Sequence, residues 1–163
     1  MLDCRVIFAV IICLLPALAW GMPAVIAHIH DGDTITAAPL NAVGSPIKIR
    51  LYGIDAPEQG QPGGADATAY LHSLLPLRTN VEVTEMGKDK YGRTVALVEH
   101  KGRIINELMV EAGHAWVYAR YCRAAMCKGW YALQRNAADE RRGLWEEDMP
   151  IAPWLWRKAM REQ

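Results

Sequence analysis

Short runs in which apolar and polar residues alternate fill much of the first hundred positions of this 163-residue chain. Alternation with a period of two is typical of strands that bury one face, and turn residues separate the runs. The pattern predicts two hairpins with a strand between them. The segments are Ala24 to His30 and Ile35 to Ala37 around Asp31-Gly32, Ile47 to Ile54, and Val81 to Val83 with Val95 to Val98 around Gly87 to Gly92.

Helical spacing of apolar residues occurs in three places. It predicts a short helix from Asp66 to Leu75, a second from Ile104 to the stop at Gly113, and a last long helix from about Ala124 to Arg142. Early strands followed by later helices indicate an α+β fold, in which five short strands close a small barrel.

The first nineteen residues have the pattern of an export signal. Arg5 precedes the apolar run Val6 to Leu15, and small residues lead to Ala19, after which we expect cleavage. The run is shorter than the roughly 20 residues of a membrane-spanning helix, which makes an uncleaved anchor the weaker alternative. The protein is therefore expected to be secreted or periplasmic, without stable membrane association once the signal is removed.

Residues 20–163 have a suitable length for one compact domain, because no internal repeat or flexible linker divides them. We expect a monomer with a core at about 24–146 and a C-terminal extension at 147–163. Pro153, Trp154 and Trp156 of the extension are expected to pack against the core, and a binding surface is the alternative.

The 18 basic and 18 acidic side chains of the chain give a formal net charge of zero. Without an overall positive field, the chain is a poor match for a module whose sole task is nonspecific nucleic-acid binding. An enzyme that places a few arginines around a cleft remains compatible with this balance.

Two of the four cysteines, Cys122 and Cys127, lie outside the predicted signal. Cysteines this close can close a small loop in an oxidising compartment, and we predict a disulfide between them. The alternatives are two free thiols or half of a zinc site, although no second cysteine pair would remain after signal cleavage to complete a four-thiolate site.

Three segments concentrate residues suited to catalysis on a phosphodiester: Asp31-Gly32-Asp33-Thr34, Arg50 to Glu58, and Asp89 to Arg93. Together they offer carboxylate oxygens for a divalent cation, a spare carboxylate to act on water, and two guanidinium groups for phosphate oxygens. The combination indicates a metal-dependent phosphodiesterase.

These three segments, followed in order by Gly143-Leu144-Trp145, make the chain similar to the staphylococcal nuclease, or thermonuclease, family from about Ile26 to Trp145. The resemblance implies a five-stranded OB-type barrel with three helices, which agrees with the fold predicted from alternation and helical spacing. It also implies a Ca²⁺-dependent nuclease that hydrolyses DNA and RNA, with single strands favoured, to 3′-phosphorylated products.

The resemblance assigns metal binding to Asp33, Asp55 and the backbone carbonyl of Ala56, oxygen ligands that suit Ca²⁺. It makes Glu58 the residue that takes a proton from the attacking water or orients it. Taken alone, an Asp-Gly pair between alternating strands is more often a simple turn, but Asp33 is not needed by that turn.

Arg50 and Arg93 are placed on the scissile phosphate by the same resemblance, because a guanidinium presents two parallel donors to phosphate oxygens. Lys90 and Tyr91 would contact the terminal phosphate of a bound nucleotide, and Tyr121 would line the base pocket. Each could instead be an ordinary surface residue.

Two competing functions remain. His28 and His30 alternate just before the aspartates, a pattern compatible with a zinc or manganese hydrolase, but Gly32 stands where that pattern needs an aspartate. The second competitor is a non-catalytic OB-fold module that binds single strands. Retention of all five candidate carboxylate and arginine residues favours an enzyme.

Overall fold

The computed structural model describes residues 21–40 and 44–162, so that the predicted signal at residues 1–19 lies outside the described residues. Within them the strands are β1 (Met22–Asp31), β2 (Thr34–Pro39), β3 (Ile47–Leu51), β4 (Ile54–Asp55), β5 (Asn80–Lys88), β6 (Thr94–His100), β7 (Arg103–Ile104) and β8 (Trp116–Val117). The helices are α1 (Gly64–Leu74), α2 (Ile105–Glu111), α3 (Cys127–Asp139) and α4 (Pro153–Arg161), with a 3-10 helix at Gly143–Glu146. No helix in the described ranges has the length and apolar character needed to cross a membrane.

Five strands close into a barrel. β3, β2, β1, β5 and β6 pair in that order, each antiparallel to the next, and a parallel pairing of β3 with β6 completes the circle. β7 extends the sheet beyond β6, whereas β4 pairs separately with β8. The predicted α+β class and the OB-type five-stranded barrel are therefore confirmed.

The period-two alternation in the sequence corresponds to burial inside this barrel. Its inward-facing residues are nearly inaccessible to solvent, as expected for strands with one face on a core. They include Ile26, Ile35, Ile49, Leu51, Val81, Val83, Ala96 and Val98.

Asn106, fully buried at the start of α2, joins that helix to the barrel. Its Nδ2 donates hydrogen bonds to the carbonyl oxygens of Tyr52 and Ala96, and its Oδ1 accepts one from the backbone N–H of Val98. A buried amide with partners of this kind fixes the position of the helix because any shift would leave its polar atoms unsatisfied.

The turn between β1 and β2 needs glycine for space. A Cβ on Gly32 would lie 2.7 Å from the Cβ of Ala67 and 2.8 Å from the Cβ of Ala56, closer than packed carbons allow. The φ angle of Gly32 is not positive, so that a left-handed backbone conformation is not the reason why glycine is needed here. The turn therefore packs directly on α1 and on the segment that follows β4.

One predicted strand and the number of helices differ from the sequence-based expectation. The strand predicted from Ile47 to Ile54 is divided by Gly53, whose φ of 73° turns the chain between β3 and β4. The described residues contain four α-helices instead of three, because Pro153 at the first turn starts α4 within the C-terminal extension.

The predicted disulfide between Cys122 and Cys127 is confirmed. It closes a loop of the chain just before α3 and is largely buried. Cys122 also supports the turn at Gly53, where a Cβ would lie 2.7 Å from its Sγ atom. The disulfide thus lies directly behind the turn that leads into β4.

The C-terminal extension packs on β8, on Tyr118 after it and on the loop before α1, through aromatic rings and one buried amide. Trp154 stacks parallel on Tyr118, with ring centroids 5.1 Å apart, and meets Trp116 edge-on at 5.8 Å. Gln61 donates a 2.6 Å hydrogen bond from Nε2 to the carbonyl oxygen of Ile151. These contacts fix both the start and the orientation of α4.

Candidate active site

A cleft of about 1060 Å³ lies between the β5–β6 hairpin, the segment after β4 and one face of α4. Its lining is rich in charged residues of both signs. The basic ones are Arg50, Lys88, Lys90, Arg93, Arg120, Arg157, Lys158 and Arg161, and the acidic ones are Asp31, Asp33, Glu58 and Asp89.

Asp33 and Asp55, the predicted metal ligands, lie side by side against one guanidinium. Arg50 donates from Nη2 to Asp55 Oδ1 at 2.7 Å, and its Nη1 forms an ion pair with Asp33 Oδ2. Asp55 is fully buried and Asp33 is 5% exposed. Two carboxylates within the width of one guanidinium form a compact anionic site.

Local structure explains this convergence. Asp33 lies in the β1–β2 turn, where its backbone N–H donates to Asp31 Oδ1, and Arg50 lies in β3 beside Thr34 of β2. Asp55 ends β4, and Ala56 after it donates its backbone N–H to Asp33 Oδ2 at 2.7 Å. The pairing of β2 with β3 and the turn at the end of β3 therefore bring the first two motifs together.

Burial raises the pKa of Asp33 to about 7, because removal from water penalises the charged form. Arg50 and the backbone N–H of Ala56 act in the opposite direction, while the nearby Asp31 and Asp55 add to the rise. Loading of a cation would require the ionised carboxylate, and would therefore be coupled to release of this proton.

The donor set fits a hard divalent cation. Asp33 and Asp55 supply carboxylate oxygens, and the carbonyl of Ala56 is the adjoining backbone oxygen, the chemistry that Ca²⁺ and Mg²⁺ prefer. No group of three or more His, Cys, Asp or Glu side chains suited to a metal occurs among residues 21–40 and 44–162. Such a cation would complete its shell with water and substrate oxygens.

The histidines of the alternative metal hypothesis do not join this site as ligands. The rings of His28 and His30 lie 4.5 Å apart, centroid to centroid, and His30 Nε2 is 2.8 Å from Thr36 Oγ1 in a hydrogen bond. Within the described residues no third side chain completes a nitrogen-rich metal site. The geometry gives the zinc hypothesis no support.

Glu58 lies in the loop between β4 and α1, with a side chain 42% exposed to the cleft. Its backbone N–H is 3.3 Å from Gln61 Oε1. Gly64 packs against the same loop so closely that a Cβ there would lie 2.0 Å from the carbonyl oxygen of Glu58. The backbone of Glu58 is thus held firmly, while its carboxylate reaches solvent.

Arg157 of α4 enters the same cluster, and the sequence-based reasoning did not include it. Its Nη1 donates to Glu58 Oε1 at 2.6 Å and to Asp55 Oδ1 at 3.1 Å, while its Nη2 donates to Asp55 Oδ2 at 2.7 Å. Burial opposes its charge, but the bonds to Asp55 and Glu58 outweigh this effect and raise the pKa of the guanidinium.

A signal for this contact was present in the sequence. After Pro153, the positions of Trp154, Arg157, Lys158 and Arg161 follow helical spacing, which places one aromatic and three basic side chains along one face. A helix with such a basic face in the extension could have been predicted to pack beside the carboxylates of the site.

Arg93 lines the cleft but is paired with Asp89 instead of the carboxylate cluster. Its Nε donates to Asp89 Oδ2 at 2.6 Å, and its backbone N–H donates to Asp89 Oδ1 at 2.9 Å. Although burial works the other way, these hydrogen bonds lower the pKa of Asp89. The ion pair holds the guanidinium at the mouth of the cleft.

The predicted substrate-contacting residues lie on the rim. Tyr91 is 72% exposed, and the Nζ atom of Lys90 lies 4.8 Å from the centroid of its ring. Tyr121 is also exposed and meets Tyr118 edge-on at 4.9 Å. Trp154 occupies one face of Tyr118, so that Tyr121 and Tyr91 are the more accessible rings for a base.

A second groove, of about 650 Å³, lies between α1, the 3-10 helix and the segment before α4. Asp66, Glu146 and Glu147 line it, and none of its lining residues in the described ranges is lysine or arginine. Its charge would repel a phosphodiester, which leaves the basic cleft as the candidate active site.

Known proteins share much of this sequence. Residues 48–147 match the family model described as staphylococcal nuclease homologue. This range includes Arg50, Asp55, Glu58 and Arg93 but ends before Arg157.

Individual relatives cover most of the chain. A protein named uncharacterized endonuclease in Escherichia coli O157:H7 is 36% identical over 87% of this chain and 89% of its own length. A micrococcal nuclease of Shigella flexneri is 34% identical, with 95% of this chain and 92% of the relative covered. The staphylococcal-like nuclease CAN1 of Arabidopsis thaliana is 35% identical over 71% of this chain and 34% of the longer plant protein.

Proposed function

Because the chain belongs to the staphylococcal nuclease family, we propose that it is a Ca²⁺-dependent nuclease that hydrolyses phosphodiester bonds in DNA and RNA to 3′-phosphorylated products. The observation that supports this proposal best is a pair of buried carboxylates: Asp33 lines a cleft with many basic residues, and Asp55 lies beside it across the Arg50 guanidinium. Oxygen ligands would hold the cation, and the basic residues would hold the polyanion.

In this proposal Asp33, Asp55 and the carbonyl of Ala56 bind the cation. When bound, it supplies Lewis-acid polarisation of a phosphate oxygen and offsets the negative charge that grows there. Arg50 contacts both carboxylates and keeps them adjacent, so that the ligands are ordered in advance.

Glu58 acts on the attacking water. Its carboxylate is partly exposed and is not needed as a ligand. It lies close to Asp55, because Arg157 Nη1 donates hydrogen bonds to both carboxylates. It therefore accepts a proton from water or orients that water toward phosphorus. The tightly packed backbone around Glu58 limits the positions that the carboxylate can take.

Arg93, with Arg50, stabilises the negative charge of the transition state. A guanidinium makes two parallel hydrogen bonds to phosphate oxygens, which a lysine ammonium cannot reproduce. Asp89 holds Arg93 at the cleft mouth before substrate arrives. Lys90, Tyr91 and Tyr121 on the rim then bind a flanking phosphate and base, which favours single strands with accessible bases.

We further propose that residues 1–19 direct export and that the mature protein acts as a monomer in the periplasm or outside the cell. The Cys122–Cys127 disulfide supports this proposal, because such bonds persist in oxidising compartments. Removal of the signal would leave no stable membrane association.

The test is digestion of labelled single-stranded DNA by the mature protein with Ca²⁺ or with EDTA. We expect the wild type to cleave the strand with Ca²⁺ and to leave it intact with EDTA. Turnover with Ca²⁺ should fall by about 10²- to 10⁴-fold in Glu58→Gln and by at least about 10²-fold in Arg93→Lys. The matched controls are Glu99→Gln and Arg103→Lys, which make the same changes at exposed positions outside the cleft lining.

Controls with near wild-type rates and two impaired variants would support the assigned roles. A folded wild type that binds the strand but leaves it intact with Ca²⁺ would contradict the proposal and favour the non-catalytic binding module. The chemical end of each product, read by mass spectrometry, tests the 3′-phosphate separately.

A further inference from the structure

Helix α4 places a positive charge where the proposed function needs a cation. Arg157 contacts Asp55 and Glu58 with two guanidinium nitrogens, at distances from 2.6 to 3.1 Å. Its helix lies outside the residues that match the family model, which end at 147. The contact therefore belongs to the extension of this chain.

The oxygens of Asp55 are occupied in this arrangement. Oδ1 accepts hydrogen bonds from Arg50 and Arg157, and Oδ2 accepts one from Arg157. A carboxylate oxygen has two lone-pair positions, so that both positions of Oδ1 and one of the two on Oδ2 are used. A cation that binds Oδ1, or that is chelated by both oxygens, would have to take a position now used by a guanidinium. Arg157 is the easier of the two to displace, since its side chain is 32% exposed against 15% for Arg50.

The charges of the cluster lead to the same conclusion. Arg50 and Arg157 face three carboxylates, those of Asp33, Asp55 and Glu58. A divalent cation added beside both guanidinium groups would leave excess positive charge in a buried site, where repulsion is screened weakly. Departure of one guanidinium restores the balance.

The helix is held in place for this contact before any ligand binds. Trp154, one turn before Arg157, stacks on Tyr118 with an interplanar angle of 2°. Gln61 bonds the residue just before the helix, through the carbonyl oxygen of Ile151. These contacts hold Arg157 over the carboxylates, which lowers the entropy cost of its ion pairs.

We propose that Arg157 is a built-in competitor of the divalent cation: it neutralises Asp55 and Glu58 in the cation-free protein, is displaced when the cation binds, and thereby sets the cation affinity of the site. This inference rests on the proposed function for the existence of a cation site. Once displaced, the guanidinium remains on the cleft wall, where it faces the phosphates of a bound strand.

The experiment measures Ca²⁺ binding without nucleic acid. Isothermal titration calorimetry at pH 8, above the pKa of Asp33, compares the mature wild type with Arg157→Gln. We expect the variant to bind Ca²⁺ at least about tenfold more tightly, because two or more charge-assisted hydrogen bonds no longer have to be broken. Equal or weaker binding would overturn the inference.

Lys158→Gln is the matched control for the loss of one positive charge. Lys158 is the next residue on the same helix, is well exposed, and pairs with Glu162 at a distance of 3.9 Å. We expect its Ca²⁺ affinity to stay within about threefold of the wild type, because an exposed charge is screened by solvent. If Lys158→Gln gained as much Ca²⁺ affinity as Arg157→Gln, the gain would come from the lower total positive charge, and direct competition by Arg157 would be contradicted.

Thermal unfolding of the same proteins provides a second readout. In EDTA, Arg157→Gln should unfold at a lower temperature than the wild type, since Asp55 and Glu58 lose a partner. Saturating Ca²⁺ should raise the unfolding temperature of the variant by more than that of the wild type. A purely structural role would give an equal loss with and without Ca²⁺.

Asp55→Asn separates failure of this inference from failure of the proposed function. If wild-type protein binds Ca²⁺, loses that binding in Asp55→Asn, and cleaves DNA, the proposed function stands whatever Arg157→Gln does. If neither the wild type nor Arg157→Gln binds Ca²⁺ and neither cleaves DNA, both proposals are wrong.

Discussion

Asp55 is the residue on which the charges of the site converge. It is fully buried and accepts three hydrogen bonds from two guanidinium groups. A buried carboxylate without partners costs several kcal/mol, so that each arginine stabilises the fold of the cation-free protein as well as ordering the ligands. The site residues are therefore structural and functional at once.

His114, which lies outside the candidate active site, makes the stability of the fold depend on pH. It is half-buried, stacks on Tyr70 with ring centroids 4.5 Å apart, and its Nδ1 has no hydrogen-bond partner among the described residues. Burial lowers its pKa from the ordinary value of 6.5, although Asp66 and Glu146 act in the opposite direction. The unfolded chain therefore takes up this proton first as the pH falls.

We predict that His114 costs the protein stability below pH 6.5. A lowered folded-state pKa means that the unfolded state binds more protons there, so that the free energy of unfolding decreases as the pH falls through 6.5 toward the folded-state pKa. Urea unfolding of wild type and His114→Phe between pH 7 and 5 measures this, since phenylalanine keeps the stacked ring without the proton. A constant difference between the two proteins would contradict the prediction.

The sequence predicted the site residues that lie in local motifs, but it did not predict Arg157, which is distant from them along the chain. Asp33, Arg50, Asp55 and Glu58 converge because two adjacent strands and one turn carry them. Arg157 lies 102 positions from Asp55, and its approach depends on how α4 docks. The helical spacing after Pro153 groups basic side chains on one face, but it does not report which part of the fold that face contacts.

At the level of elements, the alternation in the sequence predicted the barrel because one face of each strand is buried. The division of β3 from β4 was missed because the left-handed turn at Gly53 depends on its packing against Cys122. Helix α4 was missed as a helix because it lies after the family motifs, in an extension that was expected only to pack against the core. Short elements are specified mainly by what they dock on.

The loop before α3 allows a test at the same scale. Replacement of both Cys122 and Cys127 by alanine should lower the free energy of unfolding by about 2 kcal/mol, because the unfolded chain is no longer closed into a small ring. Urea unfolding of the double variant and of the wild type measures the difference. Activity at 25 °C should persist, since neither cysteine lines the cleft.

Reduced wild type serves as the control for that substitution. With the disulfide opened by a reductant, its free energy of unfolding should approach that of the double variant. An oxidised wild type no more stable than the alanine variant would contradict a stabilising role of the bond.

At the level of the whole molecule, a chain with zero net charge carries a strongly uneven charge distribution. Eight of its 18 lysine and arginine residues line one cleft, together with four acidic residues. The composition alone disfavoured nonspecific binding of nucleic acid, yet the fold concentrates positive charge where a strand would pass. Net charge could not predict this uneven distribution, because it carries no information about where the charged residues lie in the fold.

Salt dependence of strand binding tests this distribution. For an oligonucleotide in EDTA, the logarithm of the affinity should fall linearly with the logarithm of the salt concentration, by about 0.7 for each phosphate neutralised. Arg161→Gln should make this slope shallower by about 0.7. Lys128→Gln, which removes an exposed charge outside the cleft lining, should leave it unchanged, and fluorescence anisotropy measures all three proteins.

Equal slopes for Arg161→Gln and the wild type would mean that Arg161 does not neutralise a phosphate of the strand. Equal changes in both variants would point to the total charge of the protein instead of its distribution. Either result would remove Arg161 from the binding surface.

The contact between Gly64 and the carbonyl oxygen of Glu58 has a consequence for any survey of single substitutions scored by activity. Every residue except glycine adds a Cβ, and that atom would have to push the Glu58 loop aside. Such a survey would rank Gly64 beside the catalytic candidates although it has no side chain to contribute. Intolerance to substitution here would report the path of the backbone, and an assignment of chemistry from that ranking would name the wrong residue.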